Sequence, residues 1–228
     1  MLSHASARQS LVEAWTALAL SGVMSPSGHG NFSSRLGPQQ LLLTGSGMSA
    51  QPHADDLAVV HLDGVVEEGE VRASVAEIVG MHSAVYRARD DTGAVVHTHS
   101  PAVTAFALAH EPLPCRYEAL LRHGQAGSVP VVAWAPRGSG ELVEGITRTL
   151  EDHPETPALL LANHGVLAFA KSPGRATDLV IALEEAARAE LAAASLGGSK
   201  AFPPRALQQV QASMRRSGQG DGQGRAWS

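Results

Sequence analysis

Three histidines stand at the ends of apolar runs in this chain. Ala94-Val95-Val96-His97-Thr98-His99-Ser100-Pro101 opens as a short apolar stretch. Alternate side chains of an extended strand share a face, so His97 and His99 point one way and Thr98 the other. Two imidazoles on one face can bind a divalent metal, but a tetrahedral site wants a third protein ligand and, for catalysis, an open position. Pro157-Ala158-Leu159-Leu160-Leu161-Ala162-Asn163-His164-Gly165 is a second apolar strand ending in a histidine, now followed by a glycine that lets backbone or ligand approach closely. A single His-x-His is weak evidence. Two strand-end histidine motifs in one chain make a metal centre the better reading.

The elements that must position these groups follow from periodicity. Ser6 to Leu20 reads as an amphipathic helix with Leu11, Trp15 and Leu18 at helical spacing, stopped by Gly22. Gly28 to Arg35 and Gln40 to Gly47 each join a strand-like run to a Gly/Ser/Asn loop. Such loops either turn successive N–H groups toward an anion or serve as ordinary hairpin turns. Leu57 to Leu62 and Val65-Val66 flank Asp63-Gly64, a hairpin signal. From Val75 to Arg89 the period becomes helical, with Val75, Ile78, Val79, His82, Val85 and Tyr86 on one stripe, closed by Asp90-Asp91-Thr92-Gly93.

Helix is then expected over Pro101–Ala109, Gly138–Leu150, Pro173–Leu196 and Phe202–Arg216, and strand over Val129–Trp134, Ala158–Leu161 and Val166–Ala170. That order suggests an α/β domain, a mostly antiparallel sheet flanked by helices, spanning residues 1–216 with a flexible tail at 217–228.

Composition narrows the partners. At 44% hydrophobic and 17% charged residues, with a net charge of −5 and no basic stripe, the chain is expected to avoid nucleic acid. Glu13 interrupts any signal-peptide core, and no run approaches the ~20 apolar residues of a membrane span. Cys115 is the only cysteine, so no intramolecular disulfide forms, and a cytoplasmic location is expected.

Other chemistry-bearing residues have plainer readings. His82 on the helical stripe suits a hydrogen-bonded structural histidine, and Tyr86 suits packing. Arg35 and Arg137 can meet an anionic substrate or form structural ion pairs. Glu184, Glu185, Arg188 and Glu190 look like the solvated side of the last long helix.

Gly30-Asn31-x-Ser33-x-Arg35, Thr44-Gly45-Ser46-Gly47, a glutamate ahead of a helix bearing His82 and Tyr86, Val96-His97-Thr98-His99-Ser100-Pro101, Pro136-x-Gly138-Ser139 and Asn163-His164-Gly165 occur in one order. From about the first helix to Ser195, this order resembles the class II aldolase/adducin family and its bacterial aldolases. The resemblance implies a three-layer αβα fold, a homotetramer with sites at subunit interfaces, and a Zn2+ ion (or Mn2+ or Co2+) on His97, His99 and His164. It also places Glu77 near the metal as the base, Tyr117 as a proton donor, and Gly30, Asn31, Thr44, Ser46, Gly47 and Ser74 around a small-molecule substrate.

The chemistry asks for these residue types independently. Aldol cleavage leaves an enediolate whose charge a divalent cation stabilises, and neutral imidazoles leave the cation's charge available where thiolates would quench it. A carboxylate moves the substrate proton and a phenol donates one to the departing aldehyde oxygen. Two departures from the family pattern stand out. Ser74-Val75-Ala76-Glu77 holds one serine where phosphate-using relatives hold a pair, and Glu77 precedes His82 by five residues, where the family spacing is four. An insertion inside a helix would turn the carboxylate by about 100°; one placed before the helix would not.

The expected function is therefore metal-dependent aldol cleavage of a small sugar-like or hydroxy-keto substrate. Decarboxylation, epimerisation or dehydration on the same fold is the alternative. A non-catalytic scaffold like the adducin head is disfavoured, because that head lacks the metal histidines.

Overall fold

The computed structural model describes residues 4–45, 53–73 and 76–216. In chain order the elements are α1 (His4–Leu20), β1 (Gly30–Arg35), β2 (Gln40–Thr44), β3 (Leu57–His61), β4 (Val66–Glu68), α2 (Ile78–Ala88), β5 (Ala94–Thr98), α3 (Pro101–Ala109), α4 (Glu118–Arg122), β6 (Val131–Val132), α5 (Gly140–Asp152), β7 (Ala158–Leu161), β8 (Gly165–Ala170), α6 (Pro173–Ala194) and α7 (Ala206–Arg216). The strands form one sheet in the order β4-β3-β2-β1-β5-β8-β7-β6. Every pairing is antiparallel except β6 with β7, as the alternation of apolar runs and turns suggests.

Most strands contribute to two cores because their side chains alternate, while the exposed edge strand β4 contributes to neither and β1 adds only Phe32. Phe32, Leu42, Val59, Val96, Leu160 and Val166 pack against α1, α3, α4 and α6. Leu41, Leu43, Val60, Val95, Leu161 and Leu167 pack against α2 and α5 on the other face. The result is three layers, helix on sheet on helix. Both faces of the central strands are covered, and for that reason β5 and β7 read as continuous apolar runs. Burying each leucine or valine is worth about 1.5–3 kcal/mol before chain entropy opposes it.

Several boundaries differ from the sequence reading. Only Val131–Val132 of the expected strand 129–134 pairs in the sheet, because Pro130 and Pro136 limit the ladder on either side. The last helix begins at Ala206, after Pro203 and Pro204. The short α4, which no long periodic stripe announces, follows Tyr117. The Asp63-Gly64 hairpin forms as expected, with Gly64 at φ +97° and its N–H donating to His61 O.

Glu184 requires a correction. It is fully buried and lies off the solvated side of α6. Its carboxylate accepts from Ala102 N and Val103 N at 3.0 Å each and pairs with Arg188 at 2.9 Å. Free N–H groups at a helix start attract an anion, so Glu184 closes the start of α3 from a neighbouring helix.

Candidate active site

His97, His99 and His164 meet at one end of the sheet, on the face covered by α2 and α5. Their ligand nitrogens all lie within 4.8 Å of one another, the one such group of metal-binding side chains among the described residues. Ring centroids stand 5.0, 4.6 and 4.9 Å apart for the three pairs. Antiparallel pairing of β5 with β8, through Thr98 and Val166, carries the β7–β8 turn past the end of β5 and so brings His164 to His97 and His99.

The local structure explains how each ring is held. His97 Nδ1 donates to Val166 O at 3.0 Å, which leaves the Nε2 lone pair free to meet a metal ion, 3.1 Å from His99 Nε2. Asn163 turns the chain with a left-handed φ of 56°, and its Oδ1 accepts from His110 Nε2 at 2.6 Å, tying the turn to the end of α3. A side chain at Gly165 would bring its Cβ within 2.4 Å of Thr98 O and 2.9 Å of the His99 ring, so only glycine lets β8 close against the histidines. Downstream, Ser100-Pro101 leads straight into α3, whose first turn Glu184 anchors.

All three imidazoles are kept neutral. Burial, then the neighbouring His164 and His99, holds His97 far below the ordinary histidine range. Burial also lowers His99 to about 4, with repulsion from His29 and Arg137 adding to it. His164 falls to about 4 through burial, then His99 and Arg137. Neutral imidazole is the state that a metal ion needs, and the three convergent nitrogens could hold one. The donor set fits a divalent transition metal.

Glu77 stands immediately ahead of α2, at its N-cap position, yet its side chain makes no cap hydrogen bond. Every residue from Ile78 to His82 is helical, so the five-residue spacing between Glu77 and His82 is spanned by the first turns of α2 itself. The carboxylate reaches Arg137 in an ion pair instead, outside the group formed by the three histidines. Gly138 makes room for this, since a Cβ there would fall 2.8 Å from Glu77 Cβ, and Ser139 then caps α5 by accepting from Leu142 N. Arg137 repels charge on both His99 and His164, so it lies at the edge of the histidine cluster.

The remaining expected residues separate. Gly30 and Asn31 pair with Thr98 and His97 across β1 and β5, which puts Asn31 beside His97 on the same face. Thr44 is fully buried and its hydroxyl accepts from Phe32 N. Ser46, Gly47 and Ser74 lie outside the described residues. Tyr117 is exposed on the opposite helical layer, where its hydroxyl donates to Glu185 on α6 at 3.3 Å, away from the histidines of its own chain. Arg35 is structural, donating to the carbonyls of Tyr86, Arg89 and Thr92.

One residue beside the histidines carries no signal in the sequence. His29 stacks on His99 at 5.6 Å, a contact that no spacing announces. Glu184 did leave a trace: with Val180, Leu183 and Ala187 it occupies the buried stripe of α6 at helical spacing.

Comparison with known proteins agrees with this geometry. A 3,4-dihydroxyphthalate decarboxylase of Arthrobacter keyseri is 31% identical over 212 residues, covering 87% of this chain and 83% of the relative. A methylthioribulose-1-phosphate dehydratase of Marinobacter nauticus is 29% identical over 180 residues, 74% of this chain and 85% of its own. Among solved structures, an L-fuculose 1-phosphate aldolase superposes with a TM-score of 0.81 at 26% identity, covering 94% of this chain and all of that one. Residues 9–191 match the model of the class II aldolase and adducin N-terminal domain, and the chain belongs to that family.

Proposed function

We propose that this protein is a metal-dependent lyase that cleaves a small hydroxy-keto or sugar-like substrate by aldol chemistry. The observation that carries the proposal is the convergence of three neutral imidazoles at one sheet end, beside a carboxylate held at the cluster's edge. A divalent cation on His97, His99 and His164, with zinc first and manganese or cobalt as alternatives, supplies Lewis-acid stabilisation of negative charge developing on substrate oxygens.

The chain's own groups do the rest. Glu77 is the proposed proton acceptor; its side chain is about one-third exposed, at 31%, and so is open to substrate. Arg137 anchors it. An anionic group on the substrate would compete for that guanidinium and release the carboxylate for proton transfer. Asn31 supplies polar contact next to His97. Tyr117 is the proposed proton donor to the departing aldehyde oxygen. Because it projects from the layer opposite the histidines, it would serve a neighbouring subunit's site, and we accordingly propose a homotetramer.

Decarboxylation is the second reading, favoured by the decarboxylase relative whose similarity spans 87% of this chain. It asks for the same charge stabilisation but releases carbon dioxide and needs no phenol at a departing aldehyde.

The deciding experiment incubates metal-loaded protein with a panel of ketose phosphates and hydroxylated aromatic acids, following aldehyde and carbon dioxide together. Aldehyde release that disappears in Glu77→Gln, expected at roughly 10²–10⁴-fold, supports the aldolase. Carbon dioxide without aldehyde selects the decarboxylase. Aldehyde release at normal rate in Glu77→Gln, with metal still bound, removes Glu77 as the base.

A further inference from the structure

Behind the histidine triad, four buried polar side chains form a single hydrogen-bonded file whose direction can be worked out. His82 Nε2 lies 2.5 Å from Asn31 Oδ1, His82 Nδ1 lies 2.6 Å from Ser33 Oγ, and Ser33 Oγ lies 2.9 Å from the Tyr86 hydroxyl. All four residues are buried. Asn31 and Ser33 share the face of β1 that looks toward α2, the helix that carries His82 and Tyr86.

A neutral imidazole has one N–H and one lone pair, so the file runs in one of two ways. Burial keeps His82 neutral, lowering it to about 3. In the first arrangement Tyr86 donates to Ser33, Ser33 to His82 Nδ1, and His82 Nε2–H to Asn31 Oδ1. In the second the Asn31 carboxamide is flipped so that its N–H2 donates to His82 Nε2, His82 Nδ1–H donates to Ser33, Ser33 donates to Tyr86, and the Tyr86 phenol proton must find an acceptor of its own. Among the described residues the only side-chain hydrogen bond of that hydroxyl is the one with Ser33, so the reversed file would leave its proton without a side-chain acceptor. A buried hydroxyl proton left unmet costs about 1–3 kcal/mol, so the first arrangement wins.

We propose that Tyr86, Ser33 and His82 are positioning residues that fix the Asn31 carboxamide with its oxygen turned back into the protein and its N–H2 turned to the histidine triad. Asn31 then offers donors only. The subsite beside His97 takes an acceptor oxygen of the ligand, whether carboxylate, phosphoryl, carbonyl or hydroxyl, and rejects an ammonium or other obligate donor at that point. This inference rests on the reading that Asn31 touches the substrate.

The direction of the file is testable without activity. Long-range proton–nitrogen correlation spectra of histidine-labelled full-length protein should show His82 as the neutral Nε2–H tautomer, with Nδ1 accepting, from about pH 8 to about pH 5. Ser33→Ala removes the donor to Nδ1 and should yield mixed tautomers in a protein of unchanged circular dichroism. An Nδ1–H tautomer or a charged ring in the wild type, or an unmoved tautomer in Ser33→Ala, overturns the proposed direction.

The ligand side uses glycolate and inorganic phosphate as probes of zinc-loaded protein by calorimetry. Asn31→Asp keeps the acceptor for His82 but replaces the donors by an oxygen, so at least one probe that binds the wild type should bind about tenfold more weakly or worse. If neither probe binds the wild type, the donor subsite is refuted. If both bind Asn31→Asp and Asn31→Ala as well as wild type, Asn31 does not touch the ligand and the underlying reading fails, whatever the tautomer.

Discussion

Acid should strip stability from the metal-free protein, and His82 should account for one proton's worth of the loss. Its ring is fully buried between α2 and β1, and burial lowers it to about 3 from 6.5. Between those values the unfolded chain holds one more proton at this residue than the folded chain does. The unfolding free energy therefore falls as the pH falls, by about 1.4 kcal/mol per pH unit. His82's contribution is fully present above its unfolded value of 6.5 and is lost progressively toward 3. Two units of acidification below 6.5 remove roughly 2–3 kcal/mol, a sizeable share of the ~5–15 kcal/mol of a typical domain.

His97, His99 and His164 are also lowered and act in the same direction, so the wild-type curve alone does not isolate His82. His82→Gln does. Glutamine retains a donor and an acceptor but takes up no proton. Urea unfolding of chelator-treated wild type and variant, at steps from about pH 7 to about pH 4.5, should give a stability–pH slope shallower in the variant by about 1.4 kcal/mol per unit. Parallel slopes would refute the reasoning, since His82 would then titrate alike in both states.

His164→Ala leaves two imidazoles at the site, and metal analysis after dialysis should show most bound metal lost while circular dichroism is unchanged; full metal content would break the three-histidine assignment. Glu184→Ala abandons the N–H groups of Ala102 and Val103 in the interior and should cost about 3 kcal/mol in urea unfolding, with a change under ~0.5 kcal/mol showing that water replaces the carboxylate. Tyr117→Phe should lower turnover by ~10²-fold or more in aldehyde-release assays while metal content stays constant, and a small effect would favour decarboxylation.

The sequence by itself determined the local elements and the histidines that cluster at the site. Continuous apolar runs marked β5 and β7, the strand ends marked His97, His99 and His164, and the glycine after His164 marked a close approach that proves to be Thr98 O and the His99 ring. These features were legible because strand geometry fixes where alternate side chains point and because only glycine survives such contact. Tertiary structure decided what depends on distant segments. The pairing of β5 with β8 brings His164 to its partners, and Arg137, in the approach to α5, claims Glu77 ahead of α2. Asn31 gains a fixed orientation only when α2 lays His82 across β1. Glu184 shows the limit most plainly. Charge on a long helix normally means solvent, and the reason for burying this carboxylate is the free N–H groups of α3, 82 residues earlier in the chain.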